Sequence, residues 1–401
     1  MSMFSNIFNK KRVYLDNGGA TQIGARAKRA LLESLDVYGN PSSIFKEGVD
    51  ASKLLNDARK KIGMIINSRA HEIYFTSSGT ESCNLAILGT YYAWKKENAH
   101  IKTLPHIIIS SIEHPAVMEV INHLMINSLA NVTYLPVYEN GIVKVQDVKD
   151  AITKDTILIS VMYANNEIGT IQPIKEIGRV LEEYKKENKS VYPYFHTDAC
   201  QAGNYLNLDV FRLKVDMMTL NSSKVYGPKG VGVLYKKEGV NISPITYGGG
   251  QERGLRSGTE QVSLAVSFAE ALSEAQEIKE KESERLIKIR DLFKERLSKG
   301  LPQVVFYGDF NNRLPNNINC RIPGISSEEM ILRLDAKGFS VSHKSACASS
   351  VDDSSYVIRA LGATDEEAKE NIRITMGRST TLEDMDKLID AIENIVSKFA
   401  K

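Results

Sequence analysis

From Ile73 to about residue 260, short runs rich in β-branched and aromatic residues alternate with longer segments of helical periodicity. No other feature constrains the fold as tightly. The β-type runs are Ile73–Phe75, His106–Ser110, Val132–Leu135, Ile157–Met162, Tyr192–Thr197, Val215–Leu220 and Val231–Tyr235. Asp50–Asn67, Glu81–Glu97, Ala116–Leu129 and Ile174–Asn188 carry helical patterns. Such alternation predicts an α/β architecture, a mostly parallel sheet covered by helices on both faces. Ligands of such sheets gather where strands end and loops begin.

Beyond Gly258 the texture changes. Glu260 to Lys299 reads as one long charge-laced helix, and Leu382 to Ala400 as a closing one. The pattern predicts a large unit over 13–259 and a smaller α+β unit over 260–401, with residues 1–12 as an arm packing near it. The 401 residues, 42% hydrophobic, suffice for two such cores. With 51 basic against 49 acidic residues, composition offers no electrostatic case for nucleic acid or an anionic membrane. No apolar run approaches the ~18 residues of a membrane span. Cys83, Cys200, Cys320 and Cys347 lie far apart without C-x-x-C spacing, so a reduced, cytoplasmic protein is expected, with no resident metal.

Three features fall at strand ends. Lys224 follows the run Val215–Leu220 and precedes a Gly/Pro-rich turn, a setting for a lysine held inside a site. Desolvated there, it could form a Schiff base with an aldehyde cofactor. Asp198 ends the preceding run, where a fixed carboxylate suits a pyridinium nitrogen. Phe75-Thr76-Ser77-Ser78-Gly79-Thr80-Glu81 reads as strand, polar turn and helix start. Unpaired N–H groups there make a phosphate site, although Ser77, Ser78 and Thr80 serve equally as plain helix caps. Together the three fit pyridoxal 5'-phosphate.

With those residues in place, the chain resembles the cysteine desulfurases of the NifS/IscS kind, class V aminotransferase-type enzymes of the pyridoxal-phosphate fold type I. The carrying motifs are Gly39-Asn40-Pro41-Ser42-Ser43, Glu113-His114, Asn165-Asn166-Glu167-Ile168-Gly169, Tyr226-Gly227-Pro228-Lys229-Gly230, Gly248 through Thr259, Ser345-Ala346-Cys347 and Asn371-Ile372-Arg373. The resemblance implies a seven-stranded sheet and a desulfurase taking sulfur from L-cysteine, leaving L-alanine. Lys224 would carry the cofactor and move the Cα proton. Asp198 would pair with its ring nitrogen and Gln201 with its phenolic oxygen. His114 would stack on the ring and handle protons at the substrate thiol. Gly79, Thr80 and Ser222 would hold the phosphate, and Asn166 and Arg373 the substrate carboxylate. Thr259 would reach the neighbouring subunit's cofactor, implying a homodimer.

Cys347 would be the nucleophile that receives a persulfide, with any part in a transient iron–sulfur cluster left open. The sulfur would pass to an acceptor protein for iron–sulfur assembly or tRNA or cofactor thiolation. Relatives usually place a His immediately before the lysine; this chain has Ser223. Other fates of the scaffold stay open at this level: a selenocysteine lyase or another class V enzyme, or a non-catalytic scaffold for sulfur transfer.

Overall fold

The computed structural model describes residues 12–343 and 354–399. Most of the N-terminal arm and Cys347 lie outside the described residues. Twelve strands and twelve α-helices follow one another in chain order among these. The strands are β1 (Val13–Tyr14), β2 (Ile73–Thr76), β3 (His106–Ser110), β4 (Asn131–Leu135), β5 (Thr156–Ser160), β6 (Tyr194–Asp198), β7 (Met217–Asn221), β8 (Gly232–Lys236), β9 (Val305–Phe306), β10 (Asn317–Arg321), β11 (Phe339–Ser340) and β12 (Asn371–Thr375). The helices are α1 (Ala25–Ser34), α2 (Lys46–Ile65), α3 (Gly79–Glu97), α4 (Pro115–Ile126), α5 (Val145–Ala151), α6 (Ile174–Glu187), α7 (Val210–Leu213), α8 (Val262–Gly300), α9 (Ser327–Ala336), α10 (Tyr356–Ala360), α11 (Asp365–Ala368) and α12 (Leu382–Phe399).

Strands β2 to β8 form one seven-stranded sheet in the order β2-β8-β7-β6-β5-β3-β4. All neighbours pair in parallel except β8, which runs antiparallel to both β2 and β7. Every residue of β3, β5 and β6 is buried, as expected where helices cover both faces. One apolar cluster on one side gathers α2, α6 and the start of α8; another on the other side gathers α3 and α4. The strand expected from Tyr192 begins at Tyr194, because Pro193 has no amide hydrogen to give a ladder.

Helix α8 spans 39 residues and belongs to two cores. Val262 to Ala275 pack with the large sheet's cluster, whereas Leu286 to Leu297 pack with β10, β12 and α12. Strand β1 pairs in parallel with β11, so Val13 and Leu15 join that second cluster as well. We propose on this packing that the division between the units falls inside α8 and not at 259/260. This arrangement brings β12 and the turn after β1 against the C-terminal ends of β6 and β7.

Candidate active site

A cleft opens at those strand ends. Gly18, Gly19, Gly79, Thr80, His114, Asn166, Asp198, Gln201, Lys224 and Arg373 line it, together with Met162, Ala164, Cys200 and Asn221. Eight residues expected from the sequence thus converge: Gly79, Thr80, His114, Asn166, Asp198, Gln201, Lys224 and Arg373.

Lys224 sits at the end of a single 3-10 turn after β7. Its Nζ donates to the carbonyls of Gly18, at 2.8 Å, and Gly19, at 2.5 Å. Asp198 ends β6 and is buried; its Oδ1 accepts the Cys200 amide at 2.9 Å, and the Cys83 thiol lies 3.8 Å from Oδ2. A fixed, acceptor-only carboxylate is thereby aimed into the cleft. Burial beside that carboxylate pushes both thiols well above the ordinary range, so neither is the reactive nucleophile type.

Helix α3 begins at the cleft. Ser78 is its cap, accepting the Glu81 amide at 3.1 Å, which leaves Gly79 and Thr80 as its first helical residues. A Cβ at position 79 would lie 2.8 Å from Cys200 Sγ, so the close approach of helix to strand end demands glycine. His114 caps α4, its Nδ1 accepting the Ala116 amide at 3.1 Å. That bond places the proton of the neutral ring on Nε2. Burial, reinforced by the charges of Lys224 and Arg373, lowers its pKa, while Asp198 opposes.

Arg373 lies at 1% exposure on β12, not on the surface that an alternating strand permits. Its Nη2 donates to Asp16 Oδ1 at 2.7 Å and its Nη1 to the Asn166 carbonyl at 3.2 Å. Gln201 donates to the Gly18 carbonyl at 2.9 Å.

Two expectations are placed elsewhere. The Ser222 hydroxyl is fully buried and unpaired, close enough to Gly227 that a Cβ there would meet it, and Ser222 does not line the cleft. Asn221, one residue earlier, does line it, because the 3-10 turn rotates residue 222 into the protein. Thr259 is exposed in a different surface pocket with Ser77 and Arg256. Asp16, Gly18, Gly19 and Asn221 were not singled out from the sequence. No group of three or more potential metal ligands occurs among the described residues.

Residues 13–388 match the family model for class-V aminotransferases. The chain belongs to the class-V aminotransferase family. Among curated relatives, "Cysteine desulfurase IscS" of Dictyoglomus turgidum (strain DSM 6724 / Z-1310) is 40% identical over 390 residues, covering 97% of this chain and 95% of the relative. Among solved structures, a "NIFS-like protein" superposes with a TM-score of 0.86 at 32% identity, covering 96% of this chain and all of the other. "SspA in complex with cysteine" gives a TM-score of 0.76 at 31% identity, over 91% and 99% of the two chains. The donor set of the class-V cleft fits pyridoxal 5'-phosphate: a lysine amine, a buried carboxylate, a neutral imidazole and a glycine-led helix start meet in one cavity.

Proposed function

We infer that the protein is a pyridoxal-phosphate-dependent cysteine desulfurase. The observation that carries this reading is the convergence of Lys224, Asp198, His114 and Arg373 on one cleft in a chain related to desulfurases over nearly its full length. When bound, pyridoxal phosphate supplies an electron-withdrawing ring that takes up the electron pair left at the substrate Cα. Lys224 would hold it covalently and move the Cα proton. Asp198 would keep the ring nitrogen protonated, and Gln201 would serve the phenolic oxygen. The backbone amides of Gly79 and Thr80 at the α3 start, with Asn221 in place of Ser222, would hold the phosphate.

Arg373 would bind the substrate carboxylate, with Asn166 beside it. His114, neutral with its proton on Nε2, would manage the proton at the substrate sulfur. Cys347, outside the described residues, is the proposed sulfur acceptor. The Cβ–S bond of L-cysteine breaks, an S–S bond to Cys347 forms, and a proton completes the methyl group of L-alanine. The persulfide would then pass to an acceptor for iron–sulfur assembly or tRNA or cofactor thiolation.

The exposed position of Thr259 beside Arg256 suits a role in a partner's site and supports a homodimer. Tyr38, Ile44, Phe45 and Tyr247 add exposed apolar surface. No helix among the described residues is long and apolar enough to cross a membrane. The free Cys83, Cys200 and Cys320 support a reducing, cytoplasmic setting.

The test is product analysis with L-cysteine. With an added dithiol to reduce the persulfide, purified protein should release L-alanine and sulfide in equal amounts, and Cys347→Ala should lose the reaction. Wild-type turnover by that variant would refute the persulfide step. Release of selenide from selenocysteine without turnover of cysteine would favour the lyase reading instead.

A further inference from the structure

Deepening the function above, we propose that Asp16 is a positioning residue for the substrate carboxylate, bracing the Arg373 guanidinium. The proposal rests on Arg373 being the group that binds the carboxylate.

Arg373 is nearly fully buried, yet two of its nitrogens have fixed acceptors: Asp16 Oδ1 at 2.7 Å and the Asn166 carbonyl at 3.2 Å. Its Nε has no hydrogen-bond partner, so the fork keeps unspent donor capacity. Asp16 is not among the residues lining the cleft, whereas Arg373 is. The carboxylate therefore acts on the guanidinium from outside the lining and orients it without occupying the substrate's place. An unbraced Arg has several rotors to freeze on binding an anion; a braced one has them frozen already.

The turn that carries Asp16 is itself held rigidly. Tyr14 donates its hydroxyl to the carbonyls of Asp16, at 3.0 Å, and Ala20, at 2.8 Å. The amide of Gly18 donates to Thr375 Oγ1 at 2.8 Å, tying the turn to β12 two residues beyond Arg373. The carbonyls of Gly18 and Gly19 take the Lys224 amine. One five-residue turn, Asp16 to Ala20, thus fixes the amine and the guanidinium in a common frame.

The test uses the loaded enzyme and a double-mutant cycle. Asp16→Ala should raise KM for L-cysteine about tenfold, with kcat changed less than about threefold. Arg373→Lys should raise KM as well, and adding Asp16→Ala to it should raise KM less than about twofold further, because the brace acts only through the guanidinium. Calorimetric binding of propionate, which has the carboxylate without the amine, should weaken in parallel. If Asp16→Ala fails to fold, Asp16→Asn keeps the shape and should raise KM severalfold. Multiplying effects in the double variant, or an unchanged KM in Asp16→Ala or Asp16→Asn, would overturn the brace. An unchanged KM in Arg373→Lys would remove the carboxylate role itself, whereas a raised KM there with unchanged Asp16 variants would sink only the brace.

Discussion

Arg59 and Glu252 meet in a two-pronged ion pair, Nη1 to Oε2 and Nη2 to Oε1 each at 2.8 Å, with side chains only 6% and 1% exposed. The same Glu252 Oε2 accepts the Phe75 amide at 3.1 Å, and Arg59 Nη1 also donates to the Ile73 carbonyl at 2.6 Å. This buried ion pair ties the glycine-rich loop Gly248–Gly258 to β2, one turn before α3 starts the phosphate cradle. The loop requires anchoring, because Glu252 and Arg253 both sit at positive φ, 46° and 58°.

Removing one partner strands the other charge. Glu252→Ala is expected to cost about 3–5 kcal/mol of unfolding free energy. Replacing both residues by apolar side chains of similar volume should cost much less. Chemical denaturation of the two variants decides this, and equal losses in the single and double variants would contradict it.

The contact between position 79 and Cys200 yields a second expectation. Gly79→Ala should weaken pyridoxal-phosphate binding about tenfold, by lifting α3 from the strand end. Cys200→Ala vacates the sulfur that the new methyl would strike at 2.8 Å, so the double variant should regain part of the affinity. Equilibrium titration of cofactor into the apo variants measures both.

Glu113 sets a pH dependence of stability. It is fully buried, and burial pushes its pKa up to about 8, against the bonds from Ser110 and the Met162 amide. Its Oε2 has no hydrogen-bond partner. A carboxyl raised in this way favours the fold fully below its unfolded pKa, near 4.5, and the contribution fades as pH rises through about 8. Glu113→Gln cannot ionise. Its melting temperature relative to the parent should therefore be flat below about pH 4, rise between about pH 4.5 and 8, and level off above that. A difference that does not vary with pH would contradict this sign.

The sheet was legible because its strands are apolar runs a few residues long, separated by helices with 3.6-residue periodicity. His106–Ser110 matches β3 to the residue. The antiparallel direction of β8 was not legible, since strand direction leaves no mark on side-chain alternation. Nor was the short Gly24-capped α1, which has no acidic first turn and no side-chain cap to announce it. Of the residues proposed for the site, those that hold charge or project from strand ends line the cleft. Ser222 does not line it, because a single 3-10 turn decides which of Asn221 and Ser222 faces the cleft. Asp16 carries no sequence mark of its pairing, because its partner Arg373 is 357 positions away.

Borohydride reduction of the cofactor-loaded enzyme, followed by peptide mapping, tests the central claim most directly. The account predicts one reduced phosphopyridoxyl adduct, on Lys224, and none in Lys224→Ala. Label on another lysine, or none in protein that has demonstrably taken up the cofactor, would contradict it.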